Sequence, residues 1–349
     1  MDDVRVSHGE LLRFTTAVFS ATGMSPPDAA SVAEVLVWAN ERGVDSHGIV
    51  RIPVYLTEIR KGEFKPTAQP LTRNLLPATF MLECNRAAGA VCMMRAAAQA
   101  IELSEKFGVG VGLVSNPSHL GAIGRYAQWV AERGHAALVM LGGLPFVAYH
   151  GAKVASIGTS PVAIGIPAPA AQDAPLLLDM ATSVTSSGRI RDAAAAGEAI
   201  PEGMAIDAQG KPTTDPRQAK ALLPIGGAKG SGLSLMFECL TGILAGTPII
   251  AVLGGTSGAK APIQNAMIIV FNVANFRTLP DYRHDIQQLK EMVKGLPRRE
   301  GFSELLLPGE RGDREAERRR CTGIPLPAKL WIELGNVARE FGIPPLSAL

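Results

Sequence analysis

Apolar residues recur with a helical period over 7–23, where Leu11, Leu12, Phe14, Val18 and Phe19 form one stripe behind Ser7, a residue suited to cap the helix. Ser25-Pro26-Pro27-Asp28 is a second helix start. It combines a hydroxyl cap, prolines in the first turn, where no amide partner is lost, and an acid near the positive end of the helix dipole. Val32, Val35, Leu36 and Ala39 continue at core spacing up to Gly43. Pro53 would remove an interior hydrogen bond from a helix begun at Ser46, so a short turn and then a fresh helix to about Lys61 are expected. From about Pro66 the texture changes. Short apolar runs (79–83, 110–115, 136–142) alternate with Ala-rich helical segments (90–107, 121–133), and the run 176–178 ends in Asp179 and hydroxyls. Such alternation predicts a mixed α/β fold, a sheet with helices packed on it. A strand at 265–273, helices over 233–244, 286–294 and 327–341, and a Gly- and Pro-rich loop over 245–265 complete the pattern.

Composition narrows the class. Of 349 residues, 47% are hydrophobic and 19% charged, the balance of a globular enzyme with a sizeable core. The net charge of +2 gives no reason to expect a nucleic-acid partner. Its one basic cluster, Arg318-Arg319-Arg320, reads as a solvated face. Cys84, Cys92, Cys239 and Cys321 lack CxxC spacing, which argues against a zinc site or a disulfide framework and fits a reducing cytoplasm. The apolar runs 136–141 and 248–253 are too short to span a bilayer and read as buried strands, and the first residues lack the pattern of a signal peptide. A cytoplasmic protein without membrane or metal is expected.

Three stretches carry chemistry. Asp45-Ser46-His47-Gly48, with Arg51, Pro53 and Tyr55, brings a carboxylate, a hydroxyl, an imidazole, a guanidinium and a phenol into eleven residues. His47, Arg51 and Tyr55 are spaced i, i+4, i+8 and would share a face in a helix. A proton-transfer group beside a fixed cation suits an enzyme of small carboxylic acids; a capped helix start with an exposed His is the plain alternative. Asn116 to Gly124, with His119 at its centre, lies where an apolar strand gives way to a helix, the place where anions gather in α/β proteins, although an ordinary turn accounts for it equally well. Gly226-Gly227-Ala228-Lys229-Gly230 leads into an apolar helix and suits a phosphate or, alternatively, close packing. Neither a dinucleotide fingerprint nor a P-loop is present; the glycines at 108, 110 and 112 have the wrong spacing and precede a strand.

Taken in order, these stretches resemble the malate/L-lactate dehydrogenase-like oxidoreductases, a family distinct from the Rossmann dehydrogenases that also holds ureidoglycolate, sulfolactate and cyclic-imine members. The carriers are the Asp45–Tyr55 stretch, Asn116 with His119 and Gly121, Gly158-Thr159 with Pro161, Asp179-Met180-Ala181-Thr182-Ser183, Pro201-Glu202-Gly203, Pro224 with Gly226-Gly227 and Lys229, and Pro308-Gly309-Glu310-Arg311. The resemblance implies a non-Rossmann dinucleotide-binding fold, NAD or NADP as cofactor, and a homodimer. It implies a helical layer, 1–75 completed by 310–349, beside an αβ cofactor-binding domain, 76–309. His119, Leu120, Gly121, Ala122 and Ile123, then Asp179, Met180 and Ala181, then Gly227, Ala228 and Lys229, then Pro308, Gly309, Glu310, Arg311 and Arg314 match its cofactor-contacting segments. Arg51 matches the substrate-carboxylate anchor, with Tyr55, Thr159 and Gly188 as further substrate contacts. His47 and His119 both match histidines proposed for proton transfer, with Ser46 placed to orient its neighbour.

The implied reaction is hydride transfer between a nicotinamide and C2 of a small 2-hydroxy or 2-oxo acid; reduction of cyclic imino acids by NADPH on the same scaffold is the alternative. Arg189 stands where malate and lactate members carry Lys and acid-relay imine reductases carry Asp. An Arg beside the substrate favours a neutral 2-oxo acid or a second anionic group over a cationic imine. Pro117, Leu120 and Ser160 also depart from the commonest family residues.

Overall fold

The computed structural model describes residues 3–170, 172–249 and 264–349. Most of the loop expected over 245–265, and 250–253 of the apolar run 248–253, lie outside the described residues. The chain opens with β1 (Val4–Val6), α1 (His8–Ala21) and α2 (Pro26–Glu41), whose caps are those read from the sequence. Ser7 Oγ accepts from the Glu10 amide and Ser25 Oγ from the Asp28 amide. Two 3-10 turns, Asp45–His47 and Ile49–Arg51, lead into α3 (Ile52–Arg60), with Pro53 in its first turn.

The αβ part follows as β2 (Leu71–Leu76), β3 (Thr79–Glu83), α4 (Gly89–Phe107), β4 (Val109–Ser115), α5 (Gly124–Ala131) and β5 (His135–Gly143). After these come β6 (Val147–Ala148), β7 (Ala155–Ile157), β8 (Val162–Ile166), β9 (Leu176–Met180) and α6 (Ser187–Ala196). The small strands β10 (Ala205–Ile206), β11 (Pro212–Thr213) and β12 (Ala221–Leu222) precede α7 (Ala228–Glu238) and β13 (Gln264–Asn272). The chain closes with α8 (Leu279–Gly295), α9 (Glu310–Thr322), β14 (Ile324–Leu326) and α10 (Ala328–Phe341).

The main sheet has the order β2-β3-β4-β13-β5-β8-β9. Only β3 and β4 run parallel, joined by α4 as a crossover, while β13 returns from far along the chain and inserts antiparallel between β4 and β5. The sheet is therefore mixed and mostly antiparallel. Sequence alternation could not show this, because periodicity reports burial and not strand direction. The glycines at 110 and 112, which fail as a dinucleotide fingerprint, serve packing: a Cβ at Gly110 would overlap the Ala100 carbonyl of α4, and one at Gly112 the Phe80 ring. They let α4 lie close on β4, and Phe80 and Leu82 are buried with Ala96, Ala97 and Ala100 in the main core. Burying each large apolar side chain contributes about 1.5–3 kcal/mol.

The two ends of the chain meet. β1 pairs antiparallel with β14, α10 packs on α1 and α3, and α9 packs on α2. Several boundaries differ from the reading of the sequence. α5 begins at Gly124 rather than 121, α8 begins at Leu279 behind a Thr278 cap, and α7 passes into a single π turn, Cys239–Ile243. Arg319 departs from the expected solvated face: it is buried and forked onto Asp45, with Nη1–Oδ1 at 2.7 Å and Nη2–Oδ2 at 3.0 Å. Among the described residues no helix is long and apolar enough to cross a membrane.

Candidate active site

The Asp45–Arg51 segment is shaped by Asn40, a buried polar residue in the last turn of α2. Asn40 Nδ2 donates to Asp45 Oδ1 at 2.6 Å and its Oδ1 accepts from the Ile49 amide at 2.7 Å, so one side chain spans both 3-10 turns. Asp45 is thereby structural, clamped by Asn40 and Arg319. Gly48 makes room for the clamp, since a Cβ there would overlap the Asn40 carboxamide. Gly48→Ala is expected to cost about 1–3 kcal/mol through overpacking and to lower the melting temperature; an unchanged melting transition would show that Asn40 moves aside freely.

What the segment delivers is His47 and Arg51. Ser46 Oγ lies 3.0 Å from His47 Nδ1, and Arg51 Nε donates to the Ser46 carbonyl at 2.8 Å, leaving its terminal nitrogens for the cavity. The segment is two turns and not one helix, yet His47 and Arg51 still line the same cavity. Opposite them is His119, from the loop between β4 and α5, its ring stacked on that of His47 with centroids 5.7 Å apart. Tyr55 behaves differently from the substrate contact expected of it. It is buried, and its hydroxyl lies 2.7 Å from His119 Nδ1 instead of facing the cavity.

The cavity has a volume of about 980 Å³. Of the expected cofactor segments, Gly121, Ala122 and Ile123, Asp179, Met180 and Ala181, and Pro308, Gly309 and Arg311 line it, as do Thr159 and Gly188. Others do not. Leu120 is buried behind the loop, its amide donating to Gln264 Oε1 at 2.8 Å. Glu310 and Arg314 are engaged with each other at 2.7 Å, and Glu310 also with Lys294 and Arg314 with Glu304. Gly227, Ala228 and Lys229 lie outside the lining; a Cβ at Gly230 would overlap the Ile225 carbonyl, so that glycine of α7 serves close packing. Arg189 also lies outside it, whereas Arg191, two residues on, faces in.

Lining residues that motif reading missed are Trp38, Arg42, Glu58, Arg191 and Lys220. For Arg191 a signal existed: it sits one helical turn from Gly188. Trp38 and Arg42 come from the end of α2 just before the histidine motif, whereas Lys220 is brought in only by folding. Arg42 is fixed by Asp313 and donates to the Gly309 carbonyl at 2.9 Å.

Charge shapes the titration of the site. Burial and then the Arg51 and Arg191 guanidinium groups push the His47 pKa down to about 4. Burial, Arg51 and His47 hold His119 well below the ordinary histidine range. Enclosure by protein raises Asp179 to about 6, although the Gly124 amide donates to its Oδ2 at 3.0 Å. Burial raises Glu58 as well, and its Oε2 has no hydrogen-bond partner among the described residues.

A family model described as malate/L-lactate dehydrogenase matches residues 6–335. The chain is 32% identical to the malate dehydrogenase of Pyrococcus horikoshii, covering 97% of this chain and 96% of that one. It is 33% identical to a Delta(1)-pyrroline-2-carboxylate/Delta(1)-piperideine-2-carboxylate reductase of Pseudomonas putida, covering 90% and 91%. The solved malate dehydrogenase of Entamoeba histolytica superposes with a TM-score of 0.92 at 26% identity, covering 97% of this chain and 98% of that one.

Proposed function

We propose, from the premise that the chain belongs to the malate/L-lactate dehydrogenase family, that it interconverts a small 2-hydroxy acid and its 2-oxo acid with NAD or NADP. Relatives named as a dehydrogenase of a hydroxy acid and as a reductase of imino acids imply a nicotinamide nucleotide as the cofactor. The observation carrying the reading is the stacked His47–His119 pair beside Arg51 in one cavity. A guanidinium grips a carboxylate with two parallel bonds and so fixes which face of C2 is presented.

The cavity suits a dinucleotide with a small acid, lying near the top of the roughly 300–1,000 Å³ range of ligand sites. Gly121–Ile123 and Pro308–Gly312, each at the start of a helix, supply backbone against which a pyrophosphate could rest, with Arg311 beside them. The nicotinamide, when bound, gives or takes the hydride. Everything else falls to the chain's own residues.

Hydrogen bonding divides the labour between the two histidines. The Gly121 amide points at His119 Nδ1 from 3.2 Å, and an N–H can only donate. Nδ1 is then unprotonated and Nε2 carries the hydrogen, so His119 acts as a fixed donor to the substrate's C2 oxygen. Among the described residues the one hydrogen-bond partner of the His47 ring is the Ser46 hydroxyl, which can donate or accept, so the ring keeps that contact whether neutral or protonated. His47 therefore carries the proton, with Ser46 and Tyr55 as positioning groups.

A pH dependence follows. For oxidation His47 must be neutral, so kcat/KM, which reports the free enzyme, is expected to fall only as pH drops through about 4. A bound anion offsets Arg51 and Arg191 and so favours the imidazolium, which moves the acid limb of kcat to higher pH. Coincident limbs for the two parameters would contradict this account.

Reduction of a cyclic imino acid is the second reading, favoured by the Glu58 carboxyl in the cavity, whose Oε2 has no hydrogen-bond partner among the described residues. It is outweighed by Arg51, Arg191, Arg311 and Lys220 in the same lining. Following nicotinamide absorbance with NADH and NADPH against 2-oxo acids and piperideine-2-carboxylate decides the matter. Turnover of the imine alone would replace the first reading, and turnover of nothing would remove both.

A further inference from the structure

Ser187, Gly188, Arg191 and Ala194 follow a helical repeat along α6 and all line the cavity, whereas Arg189 and Asp192 lie outside that lining. Two contacts in the first turn fix this rotation. Ser186 Oγ accepts from the Arg189 amide at 3.2 Å, and Gly188 presses on the histidine motif so closely that a Cβ there would stand 2.9 Å from Ser46 Cβ. α6 is thus seated directly on the residue preceding His47, and it carries Arg191 into the space that Arg51 faces. Arg191 forms no ion pair among the described residues, whereas Arg42 in the same lining is held by Asp313.

We propose that Arg191 selects the substrate by binding a second anionic group, a carboxylate or sulfonate, carried on the carbon next to the reacting C2. The inference rests on the reading that Arg51 holds the C1 carboxylate. Arg51 and Arg191 repel each other across one cavity in which Glu58 is the carboxylate acting on Arg51, and an acid with two anionic groups supplies a counter-charge to each guanidinium at once. A substrate with one carboxylate satisfies Arg51 and leaves the second cation bare. The charge of Arg191 also reaches the reacting groups, opposing protonation of both His47 and Arg51, which places it within electrostatic range of the substrate. Discrimination of this kind is strong because the penalty falls on the wrong ligand: a polar site built for a group rejects the analogue that lacks it.

The test compares oxaloacetate and 3-sulfopyruvate with pyruvate, using the full-length protein and each nicotinamide in turn. Wild type is expected to favour the two dianions by about 10²-fold in kcat/KM. Arg191→Gln is expected to remove most of that preference, about 10²-fold and mainly through the KM of the two dianions; Arg191→Lys recovers part of it. Equal use of pyruvate and oxaloacetate by wild type, or an equal loss for both in Arg191→Gln, overturns the assignment and leaves the 2-oxo acid reaction standing. A rise in the KM for NADH or NADPH instead, with the dianion preference intact, overturns it in favour of a cofactor contact. No turnover of any 2-oxo acid by wild type removes the reaction itself, and this inference with it.

Discussion

Arg51→Gln is expected to lower kcat/KM for a 2-oxo acid by about 10³-fold, equivalent to about 4 kcal/mol of transition-state binding. Glutamine keeps the length and polarity but loses the charge and the paired donors that match a carboxylate. Both parameters are expected to suffer: KM because the substrate's charge is unmet, and kcat because a loosely held acid presents C2 at variable angles. Arg51→Lys keeps the charge without the fork, so its KM should recover more than its kcat. Arg51 also donates to the Ser46 carbonyl, so circular dichroism and melting of the variant must accompany the kinetics. A well-folded Arg51→Gln enzyme with wild-type kcat/KM would remove the anchor from the site.

The second large effect separates the histidines. His47→Gln is expected to lower kcat by about 10²–10⁴-fold and to abolish the acid limb of the pH profile, since the titrating group is gone. His119→Asn leaves an amide donor in a similar place and is expected to cost less in kcat while leaving the pH dependence in position. Tyr55→Phe removes the hydroxyl that bears on His119 Nδ1 and should follow His119→Asn in kind, at smaller size. The reverse pattern, with pH dependence lost in His119→Asn and kept in His47→Gln, would exchange the two roles.

In the proposed mechanism the Gly121 amide distinguishes those roles, and no reading of spacing could have found it. The sequence marks both histidines as candidates because each sits among glycines and polar residues at the edge of an apolar run. Which ring nitrogen holds the proton depends on a backbone N–H two residues away in a loop whose path is set by packing. Asp45 shows the same limit: adjacent to Ser46 and His47, it reads as part of the chemistry, yet it faces Arg319 from the far end of the chain. So does the supposedly solvated cluster that supplies that Arg319.

Much was nevertheless settled locally. The Ser7 and Ser25 caps, the break before α3 at Pro53, the strands at 79–83 and 136–142 and the Asp179 strand end all follow from interactions within a few residues, which sequence periodicity and capping chemistry report directly. By itself the sequence also picked out His47, Arg51, His119 and Asp179 among the polar groups of the site and, through the order of its motifs, the family resemblance. Tertiary structure alone decided that β13 threads between β4 and β5, that Gly230 in α7 serves packing, and that Arg191 rather than Arg189 faces the cavity. The physical reason is common to all three. Strand direction, close approach of backbones and the rotation of a helix about its axis are fixed by contacts between residues distant in the chain, and a linear pattern records which residues are buried without recording what they are buried against.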